Sequence, residues 1–146
     1  MNTATSTKAP WHLWFVGFVG LLWNAYGAYD YVMSKTQGEA YFRQLAMTEG
    51  QIAHYNAMPA WMTAVWAVGV WGALLGTILL LLRSRFAVEV LLASLVGFVI
   101  SLVYAYLIAP MPDAPAMMPF VQGVILIGCL FFLWYANWQR KDGVLR

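Results

Sequence analysis

Long apolar stretches alternate with short polar ones along this chain, and that pattern predicts its architecture. Four stretches, at 11–31, 61–82, 86–109 and 120–138, contain few charged residues. A helix of about 20 residues reaches about 30 Å at 1.5 Å per residue, which matches the hydrocarbon core of a bilayer. The short alternating segments of a transmembrane β-barrel are not found. The pattern therefore predicts an all-α integral membrane protein, a four-transmembrane-helix bundle that forms a single domain over residues 1–146.

The connections between these spans are also predicted by the sequence. A polar tail, residues 1–10, precedes the first span. Only residues 83–85 separate the second and third spans, so these two helices should form an antiparallel hairpin. The link to the fourth span, residues 110–119, contains four prolines and should stay extended.

The first connection is too long for a turn and predicts an extracytoplasmic helical cap over residues 34–58. Thr36-x-x-Glu39 and Thr48-x-x-Gln51 are capping-box patterns, each of which indicates the start of a short helix. An apolar stripe on one side of the first helix suits contact with the membrane surface or with the end of the bundle. The stripe comprises Tyr41, Phe42, Leu45 and Ala46, and the ion pair on the opposite side comprises Glu39 and Arg43.

Lysine and arginine are distributed unequally between the two ends of the predicted bundle. Six lie at the end that carries both termini, and two lie at the end that carries the cap. Positive residues accumulate on the cytoplasmic side of membrane proteins, so we expect both termini to be cytoplasmic. The six are Lys8, Arg83, Arg85, Arg140, Lys141 and Arg146, and the two are Lys35 and Arg43.

Composition narrows the function classes. With 62% hydrophobic and 10% charged residues, the chain is too apolar for an ordinary soluble domain. The net charge of +2 comes from scattered bases, which does not indicate nucleic-acid binding. No catalytic triad, His-Glu-x-x-His pattern or glycine-rich phosphate loop is found, so we expect neither an enzyme nor a cofactor. Cys129 is the single cysteine and is expected to be a buried apolar residue.

Small residues at steps of four predict where the helices pack closely. Such ridges let two backbones approach, which is how helices associate in lipid. We expect them to pack the bundle itself, with a contact to a partner protein as the alternative. The ridge of the second span is Gly72 and Gly76, and that of the third span is Ala93, Gly97, Ser101 and Ala105.

Three polar side chains inside the spans, Asn24, Ser101 and Gln122, predict interhelical hydrogen bonds of about 1 kcal/mol each. Asn24 should pair with Gln122, Ser101 or Tyr104. Asp30 lies near the outer end of the first span and is expected to mark where that span ends. Alternatively, polar and aromatic side chains together form a solute site, in which rings stack on a sugar. The residues of this site would be Asn24, Asp30, Trp23, Tyr26, Trp66, Trp71, Tyr104 and Gln122.

Methionine is concentrated on the predicted outer side of the membrane. Thioether and imidazole groups are the ligands that Cu(I) prefers, although methionine is also common in adaptable packing. A copper site is therefore a third hypothesis, and its ligands would be His54, Met58, Met111, Met117 and Met118.

Four blocks of the sequence carry a resemblance to a known family. They are PWHLWFVGFVGLLWNAYGAYDY in the first span, PAWMTAVWAVGVWGALLG in the second, the turn LLLLLRSRFAV and the terminal GVLR. With these blocks the chain resembles, over nearly its whole length, an uncharacterised family of small four-span bacterial inner-membrane proteins often described as sugar transporters. The resemblance implies four spans and a location in the bacterial inner membrane.

From these patterns we expect a non-enzymatic protein that works through helix contacts, as an accessory subunit of another membrane protein or as a homo-oligomer. Polar groups inside the membrane are few, and one four-span chain lacks the inverted repeat typical of secondary transporters. The alternative is an oligomeric transporter of a small solute such as a sugar. A water-filled path lined by Asn24, Asp30, Tyr104 and Gln122 would favour the transporter, whereas a tightly packed bundle would favour the accessory subunit.

Overall fold

A computed structural model describes residues 7–146, and the secondary structure of this part consists of helices joined by short connections. Residues 1–6, the first part of the predicted polar tail, lie outside the described residues. Six α-helices follow one another, and the fifth continues into a short π-helical segment. They are α1 (Trp11–Thr36), α2 (Glu39–Gln44), α3 (Glu49–Asn56), α4 (Ala60–Leu81), α5 (Ala87–Val103) with the π-helical segment Tyr104–Ile108, and α6 (Met118–Lys141).

Three of these helices are long and apolar enough to cross a membrane. They are α4, α5 with its π-helical segment, and α6, and they coincide with the predicted second, third and fourth spans. The chain is thus an all-helical protein with three candidate membrane-spanning helices. Helix α1 has 26 residues and therefore the required length, but it contains Asn24, Asp30 and many tryptophans and tyrosines, and it is not among the three.

Helix α1 is longer than the predicted first span and does not stop near Asp30. It ends at Thr36, whose hydroxyl donates to the Val32 carbonyl inside α1. The capping box expected from Thr36 and Glu39 was therefore wrong. Helix α2 begins instead after Gly38, whose φ of 54° lies in the left-handed region that glycine adopts without strain.

The second capping box is confirmed in α3. The Thr48 hydroxyl accepts from the Gln51 amide at 3.2 Å, and the Gln51 side chain accepts from the Thr48 amide at 3.0 Å. Tyr41 and Phe42 from α2 are buried against Ile52 of α3, so the two short helices share a small core.

Other predicted contacts of α2 hold only in part. Leu45 and Ala46, expected in the apolar stripe, are exposed. Arg43 makes the expected pair with Glu39 at 3.7 Å, but its shorter ion pair, 2.6 Å, is with Glu49.

The long helices form a bundle in which α4 and α5 make the closest contact, as the short turn between them predicts. Helix α1 packs on α4, and α6 packs on α5. Helix α6 extends past both predicted limits, from Met118 to Lys141, and Pro119 occupies its first turn, where no internal hydrogen bond is lost.

Both described chain ends meet the α4–α5 turn at one end of the bundle, which we call the terminal end. The Arg83 guanidinium donates to the Thr7 carbonyl and, at 3.1 Å, to the Val144 carbonyl. Arg85 and Arg83 exchange backbone hydrogen bonds with Arg146. Basic residues predicted to share a side therefore share this end, whereas α2 and α3 lie at the opposite end, which we call the cap end.

The main hydrophobic core lies at the terminal end. Leu13, Leu80 and Ala136 are completely buried there, from α1, α4 and α6 respectively. Val144 and Leu145 fold back from the end of α6 and pack into the same core. All four long helices thus contact one another at this end. Helix α5 does so through residues near its start, Ala87, Val88 and Leu91.

Candidate functional site

A cavity of about 400 Å³ lies between α1, α4, α5 and α6, and α3 contributes to its wall at the cap end. We call it the central cavity. Most of its lining is apolar or aromatic, with few polar side chains. The polar ones that the argument below uses are Asn24, Asp30, His54, Ser94, Ser101 and Gln122.

Glycines on α1 and α6 keep this part of the bundle hollow. Gly27 and Gly128 both line the cavity, and a Cβ atom added to either would meet nothing within 4 Å. Nearer the terminal end, a Cβ atom at Gly20 would lie 2.6 Å from the Phe132 ring, and one at Gly17 would overlap Leu81. The helices are therefore in close contact beside Gly17 and Gly20 and leave open space beside Gly27 and Gly128.

Asn24 makes an interhelical hydrogen bond, as expected, but with different partners. Its Nδ2 atom donates to Thr77 Oγ1 at 2.8 Å and to the Ala73 carbonyl at 3.3 Å. The expected partners, Gln122, Ser101 and Tyr104, belong to α5 and α6, whereas α1 packs on α4. Thr77 is completely buried and its hydroxyl donates to the Ala73 carbonyl, so these three groups form a closed polar network.

Of the other two predicted packing residues, Gln122 of α6 bonds to the π-helical segment that continues α5, as expected of an interhelical contact, whereas Ser101 bonds within its own helix. Ser101 donates to the Gly97 carbonyl of its own helix at 2.9 Å, and Gln122 accepts from the Tyr106 hydroxyl. Ser94, which sequence reasoning missed, makes the α5–α4 bond, 2.6 Å from its hydroxyl to the Gly69 carbonyl. Its sequence signal was its position among the small residues of α5.

Close packing of α4 on α5 uses three of the six predicted small residues. A Cβ atom at Gly97 would lie 3.1 Å from the Gly69 amide, and one at Gly72 would lie 3.2 Å from the Ser94 Cβ. A Cβ atom at Gly76 would lie closer still, 2.6 Å from the Leu91 side chain. Ala93, however, is exposed, and Ala105 lines the central cavity, so the small-residue contact runs through Ser94 and Gly97.

Asp30 lies at the cap end of the cavity and bonds to the cap. The Tyr41 hydroxyl donates to Asp30 Oδ1 at 2.6 Å. This hydrogen bond, together with burial, raises the pKa of Tyr41 well above its usual range. Burial and the Asp30 charge also raise the pKa of Tyr55, which lines the cavity from α3. Among residues 7–146, Asp30 forms no ion pair.

Of the four aromatic residues assigned to a solute site on α1 and α4, two line the cavity. Trp23 and Trp66 do, whereas Tyr26 and Trp71 do not and are exposed on the outer surface. Tyr104, also predicted, is buried in the cavity wall, at the start of the π-helical segment.

Four of the five candidate copper ligands line the central cavity. These are His54, Met58, Met111 and Met118, whereas Met117 is exposed. Met62, which was not predicted, lies on the same wall. Across the described part of the chain, no group of three or more His, Cys, Asp or Glu side chains could hold a metal ion.

An aromatic group closes the bundle at the terminal end, and sequence reasoning missed it. His12 Nδ1 and the Tyr135 hydroxyl are hydrogen-bonded at 2.5 Å, and the His12 ring stacks on Trp138 with centroids 5.7 Å apart. Nearby, Glu89 pairs with Arg140 at 2.6 Å. Arg85 lies over the Phe86 ring.

Comparisons of the chain with protein-family models, with curated proteins and with solved structures find no match.

Proposed function

We propose that the central cavity binds a small solute and that the protein carries this solute across a membrane. The observation that supports this function is that one cavity is lined by Asn24, Asp30, Tyr104 and Gln122. These are the four residues that a transport path would need. Its volume of about 400 Å³ falls within the usual range of small-molecule sites, and its mostly apolar wall with few polar groups is typical of them.

In this proposal α1 is a fourth span. Its 26 residues extend about 39 Å, and it packs along α4. The side chains that it turns outward include Phe15, Phe18 and Leu22, all more than half exposed, which is expected for a surface in contact with lipid. Charge bias then supports cytoplasmic termini and an extracytoplasmic cap, and the family resemblance supports the bacterial inner membrane.

The two ends of the cavity differ in a way that suits transport. Toward the terminal end, Phe132 and the His12–Tyr135 bond lie between the cavity and the cytoplasmic side. Toward the cap end, the wall is formed by α3 and the ends of the spans. Alternating access requires one closed side and one side that can open. Since one chain provides only four spans, we propose that two or more copies assemble.

The accessory or homo-oligomeric role stays a prediction, and so does copper handling. The accessory role depends on contacts of the lipid-facing surface with another protein. Copper handling depends on His54 and the methionines that share the cavity wall.

A variant with an added side chain in the cavity tests solute binding. Gly128→Leu places a side chain where the structure leaves open space, so the variant should fold with the part of the cavity beside Gly128 blocked. Gly123→Leu on the same helix is the matched control, because Gly123 also faces open space but does not line the cavity. The measurement is the thermal stability of purified protein in detergent with D-glucose, L-alanine, choline or 3,3-dimethylbutan-1-ol.

We expect at least one of these solutes to raise the melting temperature of the wild type and of Gly123→Leu, and not that of Gly128→Leu. Proteoliposomes with the wild type should then exchange that labelled solute. Solute binding is wrong if no probe stabilises the wild type, or if stabilisation persists in Gly128→Leu.

A further inference from the structure

We propose that the solute is an organic cation, bound by the Asp30 carboxylate with its apolar part among the aromatic rings of the central cavity. This inference rests on the proposed function and specifies its substrate class. It follows from the charges, the unused hydrogen-bonding groups and the rings of the cavity wall.

Charge is the first reason. Among the described residues that line the cavity, Asp30 is the one aspartate, glutamate, lysine or arginine. The nearest base in sequence, Lys35, does not pair with Asp30: its Nζ atom donates to the Thr63 hydroxyl and lies 5.8 Å from the Trp66 ring centroid. An unpaired carboxylate at a membrane cavity is costly unless a cation neutralises it.

Hydrogen-bonding capacity is the second reason. Asn24, Ser94 and Ser101 already donate to groups of the protein. Gln122 already accepts from Tyr106. The Asp30 carboxylate keeps most of its acceptor sites after binding Tyr41, so this charged acceptor is free for a cationic ligand.

Aromatic rings are the third reason. Trp23, Tyr55, Trp66 and Tyr104 line the same cavity as Asp30. The faces of such rings carry negative charge density and attract ammonium groups, and tryptophan does so most strongly. Lys35 already uses one face of Trp66 in this manner. Rings together with one carboxylate form the chemistry that recognises a substituted ammonium ion.

The test compares choline with 3,3-dimethylbutan-1-ol, which has the same shape without the charge. Isothermal titration of the purified full chain would measure both affinities, with D-glucose as the sugar probe. We expect choline to bind about tenfold more tightly than the neutral alcohol, as cation–π and carboxylate contacts would provide. Asp30→Asn should reduce this preference to what the rings alone provide, because the amide can still accept from Tyr41 but carries no charge. Asp142→Asn at the terminal end is the control and should retain it.

Several outcomes would overturn the inference. It is wrong if the neutral alcohol binds as tightly as choline, or if Asp30→Asn keeps the full preference. Binding of the alcohol or of glucose that Gly128→Leu abolishes, without any preference for charge, would exclude the cation and leave solute binding intact. Failure of all probes to bind would overturn both proposals.

Discussion

The terminal end of the bundle is packed, whereas the cap end is hollow, although the same four long helices form both. At the terminal end Leu13 and Leu80 are completely buried, and Phe132 fills the space beside Gly20. At the cap end Gly27 and Gly128 face open space. The difference teaches that side-chain size along α1 and α6 separates a part that holds the helices together from a part that leaves a cavity between them.

The largest effect expected from this difference is on stability at the packed end. Leu80→Ala should lower the free energy of unfolding by about 3 kcal/mol, because it leaves a void in a filled core. Ile125→Ala on the cavity wall should cost about 1 kcal/mol, since its side chain already borders empty space. Unfolding in mixed detergent micelles measures both, and equal costs would contradict the contrast between the two ends.

A smaller effect is expected where the cap meets the cavity. Tyr41→Phe removes the donor to Asp30 and should speed amide exchange in α2 about tenfold, or about 1.4 kcal/mol, without affecting α4. Because the folded pKa of Tyr41 is raised, the bond contributes fully below about pH 10 and is lost as pH rises further. Hydrogen exchange measures this. An equal increase of the exchange rate in all helices would show that the cap does not open independently of the bundle.

The smallest effect is expected from the hydrogen bonds of Asn24, which lie between the packed terminal end and the hollow cap end. Asn24→Leu removes the bonds to Thr77 and Ala73 and should lower the stability of the bundle by about 1 kcal/mol. Thr77→Val should cost a similar amount, and the double variant should cost less than the sum, because the two side chains share one network. A melting temperature that is unchanged or higher in Asn24→Leu would contradict a packing role.

The long apolar stretches predicted the three candidate membrane-spanning helices to within a few residues, because a backbone in lipid has the helix as its main way to satisfy its polar groups. The hairpin of α4 and α5 followed from the short turn at 83–85. The capping box at Thr48 was confirmed. Thr36 is instead the last residue of α1, because the same residue types also fit the end of a preceding helix. Local patterns therefore predicted helices better than their limits.

Much less of the candidate site could be predicted. Polar and aromatic residues such as Asn24 and Trp66 were recognised by their unusual environment, yet the partners of Asn24 depended on which helices pack together, and periodicity does not specify that. The cavity itself depends on Gly27 and Gly128, which look like ordinary packing glycines in the sequence. His12 and Tyr135 are more than 100 residues apart, so no local pattern joins them.

The accessibility of Cys129 tests the hollow cap end most directly. This single cysteine lies on the cavity wall, in the middle of α6. A permanently charged methanethiosulfonate reagent reaches it only through water, because charged groups do not enter the lipid core readily. Mass spectrometry of the protein in liposomes would measure the modification.

We expect Cys129 to react in the folded wild type and in Gly123→Leu, and to react much more slowly in Gly128→Leu, where leucine occupies the part of the cavity next to Cys129. A Cys129 that stays unmodified in the folded wild type but reacts in the denatured protein would contradict a solvent-accessible cavity, and with it the proposed function.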